Sequence, residues 1–130
     1  MKKIRQFLPI IILSVMVISG CSSQPVGDPA AATMAYLEAL SRQEKTVVVN
    51  SVCKEWEDQA ALEVDALLSV GTSLKDVNCE VVGEEGDQKL VRCSGELELT
   101  YTDEVRFIDL SMRTYSMDWE DGKWRVCSYQ

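Results

Sequence analysis

The sequence predicts an α+β fold, with N-terminal helices packed on a curved four-stranded antiparallel sheet. Two observations carry this prediction: apolar residues recur at helical spacing up to Val70, and from Leu74 onward they alternate with polar residues. In addition, turn signals at Glu84–Asp87 and Asp121-Gly122 divide the second half of the chain into strands.

Three helices are expected in the first half of the domain. Asp28-Pro29 is typical of a helix start, and good helix formers follow from Ala30 to about Glu44. Thr46 is expected to cap a short second helix that runs through Cys53, although Val47–Val49 would also suit a strand. The third helix, Lys54 to Val70, ends before Gly71. Its apolar face comprises Trp56, Ala60, Val64, Leu67 and Val70.

The strands follow from alternation. Val77, Cys79 and Val81 face one side of a first strand, and the second strand runs from Val91 to Tyr101 with one buried face. A third strand runs through Ile108 to Trp119, and its alternation changes phase near Arg113 or Thr114, which predicts a bulge there. Asp121-Gly122 is a two-residue hairpin signal before a last strand, Trp124 to Tyr129.

The N-terminus has the features of an export signal. Lys2, Lys3 and Arg5 precede an apolar run of twelve residues from Phe7 to Ile18, which is too short for a permanent membrane span. The tetrapeptide Ile18-Ser19-Gly20-Cys21 resembles a bacterial lipobox, whose cysteine is lipidated and becomes the first mature residue. The expected organisation is a signal peptide (1–20), the lipidated Cys21 with a tether (21–28), and one α+β domain (29–130).

The mature chain is strongly acidic. The leader contains three of the 13 basic residues, so ten remain against 21 acidic ones, a net charge of −11. Such a surface repels nucleic acid and anionic lipid headgroups, so the expected membrane contact is the anchor at Cys21. The protein is expected to be exported and anchored to the outer face of the plasma membrane or to the outer membrane. The chain contains no His, which removes the commonest general base and metal ligand.

Four cysteines remain once Cys21 is assigned to lipid, and an even set in an oxidising compartment indicates two disulfides. No Cys-x-x-Cys pair is present, so neither a metal nor another cofactor is expected. A turn centred on Gly86 places Cys79 opposite Cys93, which leaves Cys53 for Cys127. In a regular last strand, however, Cys127 points away from Trp124, so the two cannot both face the helices unless the strand is irregular near its end.

The order of helices and strands, closed by Trp124-Arg125-Val126-Cys127-Ser128-Tyr129, resembles the nuclear transport factor two-like, or cystatin-like, superfamily. Ala39-Leu40 and Cys53-Lys54-Glu55-Trp56-Glu57 add to the resemblance, which extends from about Pro29 to Tyr129 and is closest to uncharacterised bacterial lipoproteins. The resemblance implies a sheet that wraps the long helix into a cone able to hold a small ligand. Because the superfamily includes both enzymes and binding modules, the fold does not decide the function.

Glu63 is the anomalous residue, because it falls within the apolar face of the third predicted helix. One interpretation is a carboxylate that faces the cone and acts in proton transfer or ligand binding, with Trp56, Tyr101 and Tyr115 as further ligand-binding candidates. A tyrosine partner in an oxyanion hole could be Tyr36, Tyr101 or Tyr115. The other interpretation is a structural salt bridge between Glu63 and an arginine. The candidate arginines are Arg92, Arg106, Arg113 and Arg125.

The tryptophans of the last hairpin allow two interpretations. Trp119 and Trp124, with Met117 and Val126, would form a cross-strand apolar patch. This patch is either part of the core or an exposed face for a partner, including a second copy of the chain.

The function expected from these observations is a non-catalytic envelope lipoprotein that presents a pocket or a sheet face to a small molecule or a protein. One alternative is an isomerase-like or cyclase-like enzyme with Glu63 as base. Another is an inhibitor-like protein whose acidic surface binds a basic partner.

Overall fold

The computed structural model describes residues 27–130, and the predicted signal peptide and lipidation site lie outside them. The helices are α1 (Pro29–Ser41), α2 (Lys45–Asn50) and α3 (Glu57–Leu67), with a 3-10 helix at Lys54–Trp56. The strands are β1 (Gly71–Glu85), β2 (Gln88–Thr100), β3 (Val105–Asp109), β4 (Thr114–Glu120) and β5 (Lys123–Tyr129), with a 3-10 helix at Leu110–Met112. No helix within residues 27–130 is long and apolar enough to cross a membrane.

The helical half follows the sequence pattern with changes at the boundaries. The Asp28 carboxylate accepts a hydrogen bond from the Ala30 N–H (2.9 Å), and Pro29 occupies the first turn of α1. α1 ends three residues earlier than predicted, shortly before Gln43 adopts a positive φ of 58°. Thr46 lies inside α2 rather than capping it, and Gly71 starts β1 instead of ending α3.

The sheet is antiparallel, with the order β1-β2-β4-β5, and β3 also pairs with β2. Val91 and Cys93 of β2 are fully buried, as are Tyr115 and Met117 of β4, and all four belong to the core beneath the helices. From the helices, the core receives Tyr36 and Leu37 of α1 and Ala60 and Val64 of α3. The α+β class is therefore confirmed.

The predicted third strand is two strands, so the sheet has five strands and not four. Both segments pair with β2: β3 with Glu96–Thr100 and β4 with Lys89–Arg92. The interruption is the 3-10 helix, which Asp109 caps by accepting a hydrogen bond from the Ser111 N–H (2.9 Å). This turn lies where the sequence predicted a bulge. Within it, Leu110 is fully buried while Met112 is 78% exposed, so the two residues do not share one face as they would in a regular strand.

β1 and β2 bend together where their register shifts. Asp76 and Val77 of β1 lie opposite the single residue Gly95 of β2, which has a φ of +92°. A Cβ atom at Gly95 would lie 2.5 Å from the Lys75 carbonyl oxygen, so only glycine fits there. A bulge of this kind bends and twists its strand locally, and α1 packs against β1, β2 and β5.

The structure contains both expected disulfides. Cys79 and Cys93 lie directly opposite each other in the β1–β2 register, with 4.0 Å between their Cα atoms. Cys53 reaches Cys127 because residues 51–53 lie beside β5: the Cys53 N–H donates to the Val126 carbonyl (2.9 Å), and the Val126 N–H donates to the Ser51 carbonyl (3.0 Å). Chain-entropy estimates give about 3 kcal/mol for the smaller loop and somewhat over 4 kcal/mol for the larger.

A bulge at Cys127 resolves the conflict between Cys127 and the tryptophans. Met117 pairs with Val126 and Ser116 with Ser128, so Cys127 is an extra residue in β5. Trp124 and Val126 therefore face the helices while Cys127 turns toward Cys53. Trp124 belongs to the core and Trp119 packs against it. The interpretation of these tryptophans as an exposed face is therefore wrong.

Candidate functional site

Glu63 of α3 is held by two tyrosine hydroxyls from opposite sides. The Tyr36 hydroxyl of α1 donates to Glu63 Oε2 (2.8 Å), and the Tyr129 hydroxyl of β5 donates to Glu63 Oε1 (2.7 Å). Hydrogen bonds to an ionised acceptor are stronger than those between neutral groups. The carboxylate therefore joins α1, α3 and β5 at one point.

Two further aromatic rings extend this contact across the sheet. The Tyr115 ring lies 6.3 Å from that of Tyr36 and 5.6 Å from that of Tyr129. Trp56 meets Tyr129 edge-on at 5.9 Å. The Tyr115 hydroxyl and the Trp56 indole N–H are buried without a hydrogen-bond partner in the described part of the chain.

Arg113, in the turn between the 3-10 helix and β4, is the cation beside Glu63. Its guanidinium stacks on the Tyr129 ring, 4.5 Å from the ring centroid. Within residues 27–130 it makes no ion pair with a carboxylate within 4.0 Å, and the Tyr115 hydroxyl is the side-chain group that comes nearest to bonding with it. We call the following group of residues the Glu63 cluster: Tyr36, Glu63, Arg113, Tyr115 and Tyr129.

The predicted Glu63–arginine salt bridge is therefore wrong for the described residues. Arg92 donates to the Thr114 hydroxyl, Arg106 pairs with Glu104, and Arg125 donates to backbone carbonyls of Asn50 and Glu120. Tyrosine hydroxyls take the place of an arginine because α1 and β5 bring them into direct contact with α3.

Glu63 and Arg113 line an open cleft of about 170 Å³ at the C-terminal end of α1. Tyr129 forms one side of the cleft. The remaining wall is apolar and comprises Leu40, Ala66, Leu67, Leu97 and Ile108. The cleft thus combines a short apolar surface with one guanidinium that makes no ion pair in the described residues, and its volume is below the roughly 300–1,000 Å³ of typical small-molecule sites.

The environment keeps the tyrosines protonated. Burial, and the hydrogen bond to the Glu63 carboxylate, raise the pKa of Tyr129 to about 12. The pKa of Tyr36 is raised further, first by deeper burial and then by Glu63. Burial also raises the pKa of Tyr115, although the Arg113 guanidinium opposes that rise. At neutral pH the Tyr36 and Tyr129 hydroxyls are therefore donors to Glu63.

The sequence-based candidates are partly brought together. Tyr36, Glu63 and Tyr115 meet in the cluster, and Trp56 packs against it through Tyr129. Tyr101 does not join them: it is 37% exposed and packs under the guanidinium of Arg106 at 5.4 Å. Sequence reasoning missed Tyr129, because strict alternation from Trp124 points it outward and only the bulge at Cys127 turns it inward.

Comparison with known proteins gives structural matches only. No family model and no curated protein sequence matches this chain. A ketosteroid isomerase-like protein from Erwinia carotovora atroseptica superposes with a TM-score of 0.56 at 21% identity, over 76% of this chain and 88% of that one. A scytalone dehydratase-like protein from Novosphingobium aromaticivorans gives 0.51 at 11% identity, over 76% of each chain.

The domain has a nuclear transport factor two-like fold. A SEC-C motif containing protein from Rhodopseudomonas palustris also superposes on this chain, with a TM-score of 0.52 at 10% identity over 80% of each chain. These identities support the fold alone, so the activity has to be argued from the site.

The tyrosine–Glu63 contacts predict a loss of stability at alkaline pH. The tyrosines of the unfolded chain ionise near pH 10, whereas Tyr129 in the folded protein ionises near pH 12. The free energy of unfolding should therefore fall as pH rises from about 10 toward 12, because the unfolded state releases its protons first. Tyr129→Phe should make this fall shallower. At pH 8 the substitution should lower the free energy of unfolding by about 1.5–3 kcal/mol, because it removes the hydrogen bond to the Glu63 carboxylate.

Urea unfolding between pH 8 and 11.5 measures both effects. Tyr101→Phe is the matched control, since its ring is outside the Glu63 cluster and the variant should keep the wild-type pH dependence. Identical pH slopes for Tyr129→Phe and the wild type would contradict the proposed contacts.

Proposed function

We propose that this protein is an exported lipoprotein, anchored through Cys21, whose domain is a non-catalytic interaction module. The anchor is supported by the charged and apolar leader before Ile18-Ser19-Gly20-Cys21. The position of the domain supports it too, because α1 begins eight residues after Cys21 and leaves room only for a short tether. The two disulfides fit an oxidising compartment.

The observation that carries the binding role is the Arg113 guanidinium at the mouth of the apolar cleft, which makes no ion pair with a carboxylate in the described residues. A half-buried guanidinium without a carboxylate partner is unusual, because most of its N–H donors then lack an acceptor and unpaired polar groups cost free energy on burial. An acceptor supplied by a partner would satisfy it. The neighbouring Glu63 carboxylate disfavours an anionic partner, so a neutral carbonyl oxygen is the better match.

The size of the cleft favours a protein partner over a whole small molecule. About 170 Å³ accommodates a single branched apolar side chain, with a backbone carbonyl of the same peptide placed to accept from Arg113. Beside the cleft, exposed Ala66 and Leu62 lie one turn apart on α3 and extend its apolar surface. An exposed apolar surface of this kind marks interaction sites.

Loss of the lipid attachment site should release the protein from the membrane. Cells grown with labelled palmitate should incorporate label into the wild-type chain and none into Cys21→Ser, because the Cys21 thiol is the group to which the lipid is attached. Cys53→Ser is the matched control, since it removes a disulfide cysteine and should keep the label. A labelled Cys21→Ser chain would contradict the anchor.

The cleft should bind the blocked residue N-acetyl-leucine methylamide, as a probe for a partner peptide. In an NMR titration the side-chain signals of Leu97, Ile108 and Arg113 should shift, and Arg113→Gln should weaken binding about tenfold through loss of a hydrogen bond from a charged donor. Arg106→Gln removes an exposed arginine outside the cleft and should leave the affinity unchanged. Equal weakening by both variants, or shifts confined to other regions, would contradict the proposal.

One observation favours an enzyme as the second candidate: Glu63 lines a cleft without an arginine ion pair within the described residues. The names of two structural neighbours point the same way. Against this, both carboxylate oxygens already accept hydrogen bonds from tyrosine hydroxyls, which fix the carboxylate between α1 and β5. Turnover of a β,γ-unsaturated ketone that disappears in a folded Glu63→Gln variant would favour the enzyme and contradict the non-catalytic module.

A further inference from the structure

A second and larger cavity lies at the opposite end of the concave face, beside the N-terminus of α1. Its volume is about 850 Å³, within the range of small-molecule sites. It is separate from the Glu63 cleft, with which it shares no lining residue. We call it the Trp119–Trp124 groove; its lining includes Glu84, Asp87, Lys89, Asp118, Trp119 and Trp124.

The groove contains a preformed pair of indole rings. Trp119 of β4 and Trp124 of β5 are cross-strand neighbours whose rings meet edge to face, with centroids 5.6 Å apart and planes at 76°. Trp124 is 91% buried, and its indole N–H has no hydrogen-bond partner in residues 27–130. Two rings at nearly right angles form a corner that resembles two sides of an aromatic cage, and Trp119, the less buried of the two, presents the more open ring.

The charge around the rings is negative. Lys89 is the one basic side chain of the described lining, and it is already paired with Glu84. Asp87 and Asp118 have no cationic partner within 4.0 Å in the described residues. Arg125 is opposite Asp118 in the sheet, but its guanidinium donates to the backbone of Asn50 and Glu120. Of the acidic residues that line the groove, Asp87 and Asp118 therefore make no ion pair within the described residues.

We propose that the Trp119–Trp124 groove binds an organic ammonium group. The indole face attracts the cation through its quadrupole, and the carboxylates add long-range attraction. A metal ion is a poor match, because no group of three metal-ligating side chains converges in residues 27–130. A bulky, weakly hydrated ammonium fits both the ring pair and the volume of the groove.

The ammonium has two sources that the position of the groove makes accessible. Gly27 lines the groove, and six residues of extended chain from Cys21 span at most roughly 20 Å. In the anchored protein the groove would then lie near the bilayer surface. There the ammonium group of a zwitterionic lipid headgroup would compete with free alkylammonium compounds for the groove. The site needs the same recognition chemistry in either case.

Binding can be followed on the three indole N–H signals of the full chain, purified in a maltoside detergent. Titration with choline should shift the Trp119 and Trp124 signals saturably, while Trp56 beside the Glu63 cluster serves as an internal reference. The neutral isostere 3,3-dimethyl-1-butanol should bind at least tenfold more weakly. Trp119→Ala should weaken choline binding about tenfold and Asp118→Asn about threefold. Glu85→Gln removes an exposed carboxylate at the end of β1, outside the groove, and should have no effect.

A second titration uses phosphatidylcholine vesicles. Saturable shifts with choline identify a free ammonium ligand, and shifts with the vesicles alone identify the headgroup; either result supports the site. Equal binding of choline and its neutral isostere would overturn the proposal, as would equal losses in Trp119→Ala and Glu85→Gln. Absence of shifts with both choline and the vesicles would overturn it as well. Glu63→Gln should leave these results unchanged, so the groove is tested independently of the cleft.

Discussion

The extra residue in β5 at Cys127 determines both the closure of the domain and the composition of its site. Before it, Trp124 and Val126 face the helices; after it, Tyr129 faces them as well, although regular alternation would turn Tyr129 outward. The displaced Cys127 is directed at Cys53, whose segment pairs with β5 through two backbone hydrogen bonds. One irregularity thus fixes a disulfide on one side of the strand and a hydroxyl donor for Glu63 on the other.

The residue patterns predict features that depend on local chemistry. Asp28 caps α1, Asp121-Gly122 forms a hairpin with positive φ at both positions, and Ala60 and Val64 are buried as the helical period requires. Glu63 could be singled out because a carboxylate within an apolar face needs a partner. Tyr36 is among the candidate partners named from the sequence, but Tyr129 could not be derived, because its inward orientation depends on the bulge at Cys127 in β5.

The same limit applies to the split third strand. The change of phase between Ile108 and Tyr115 signals an irregularity, but a bulge and a 3-10 turn shift the phase alike. The difference matters for the site, because the turn exposes Met112 and leaves Arg113 at the mouth of the cleft, stacked on Tyr129. Long-range packing therefore decides which arginine accompanies Glu63, and the spacing of the four candidates contains no such information.

The central claim is that Tyr129 reaches the Glu63 carboxylate and holds β5 to α3. A double-mutant cycle with Glu63→Gln and Tyr129→Phe, measured by urea unfolding at pH 7, tests it most directly. The account predicts a coupling free energy of about 1.5–3 kcal/mol, the usual range for a hydrogen bond to a charged group. The same cycle between Glu63 and the distant Tyr101 should give none. A coupling below about 0.5 kcal/mol for Glu63 and Tyr129 would contradict the account.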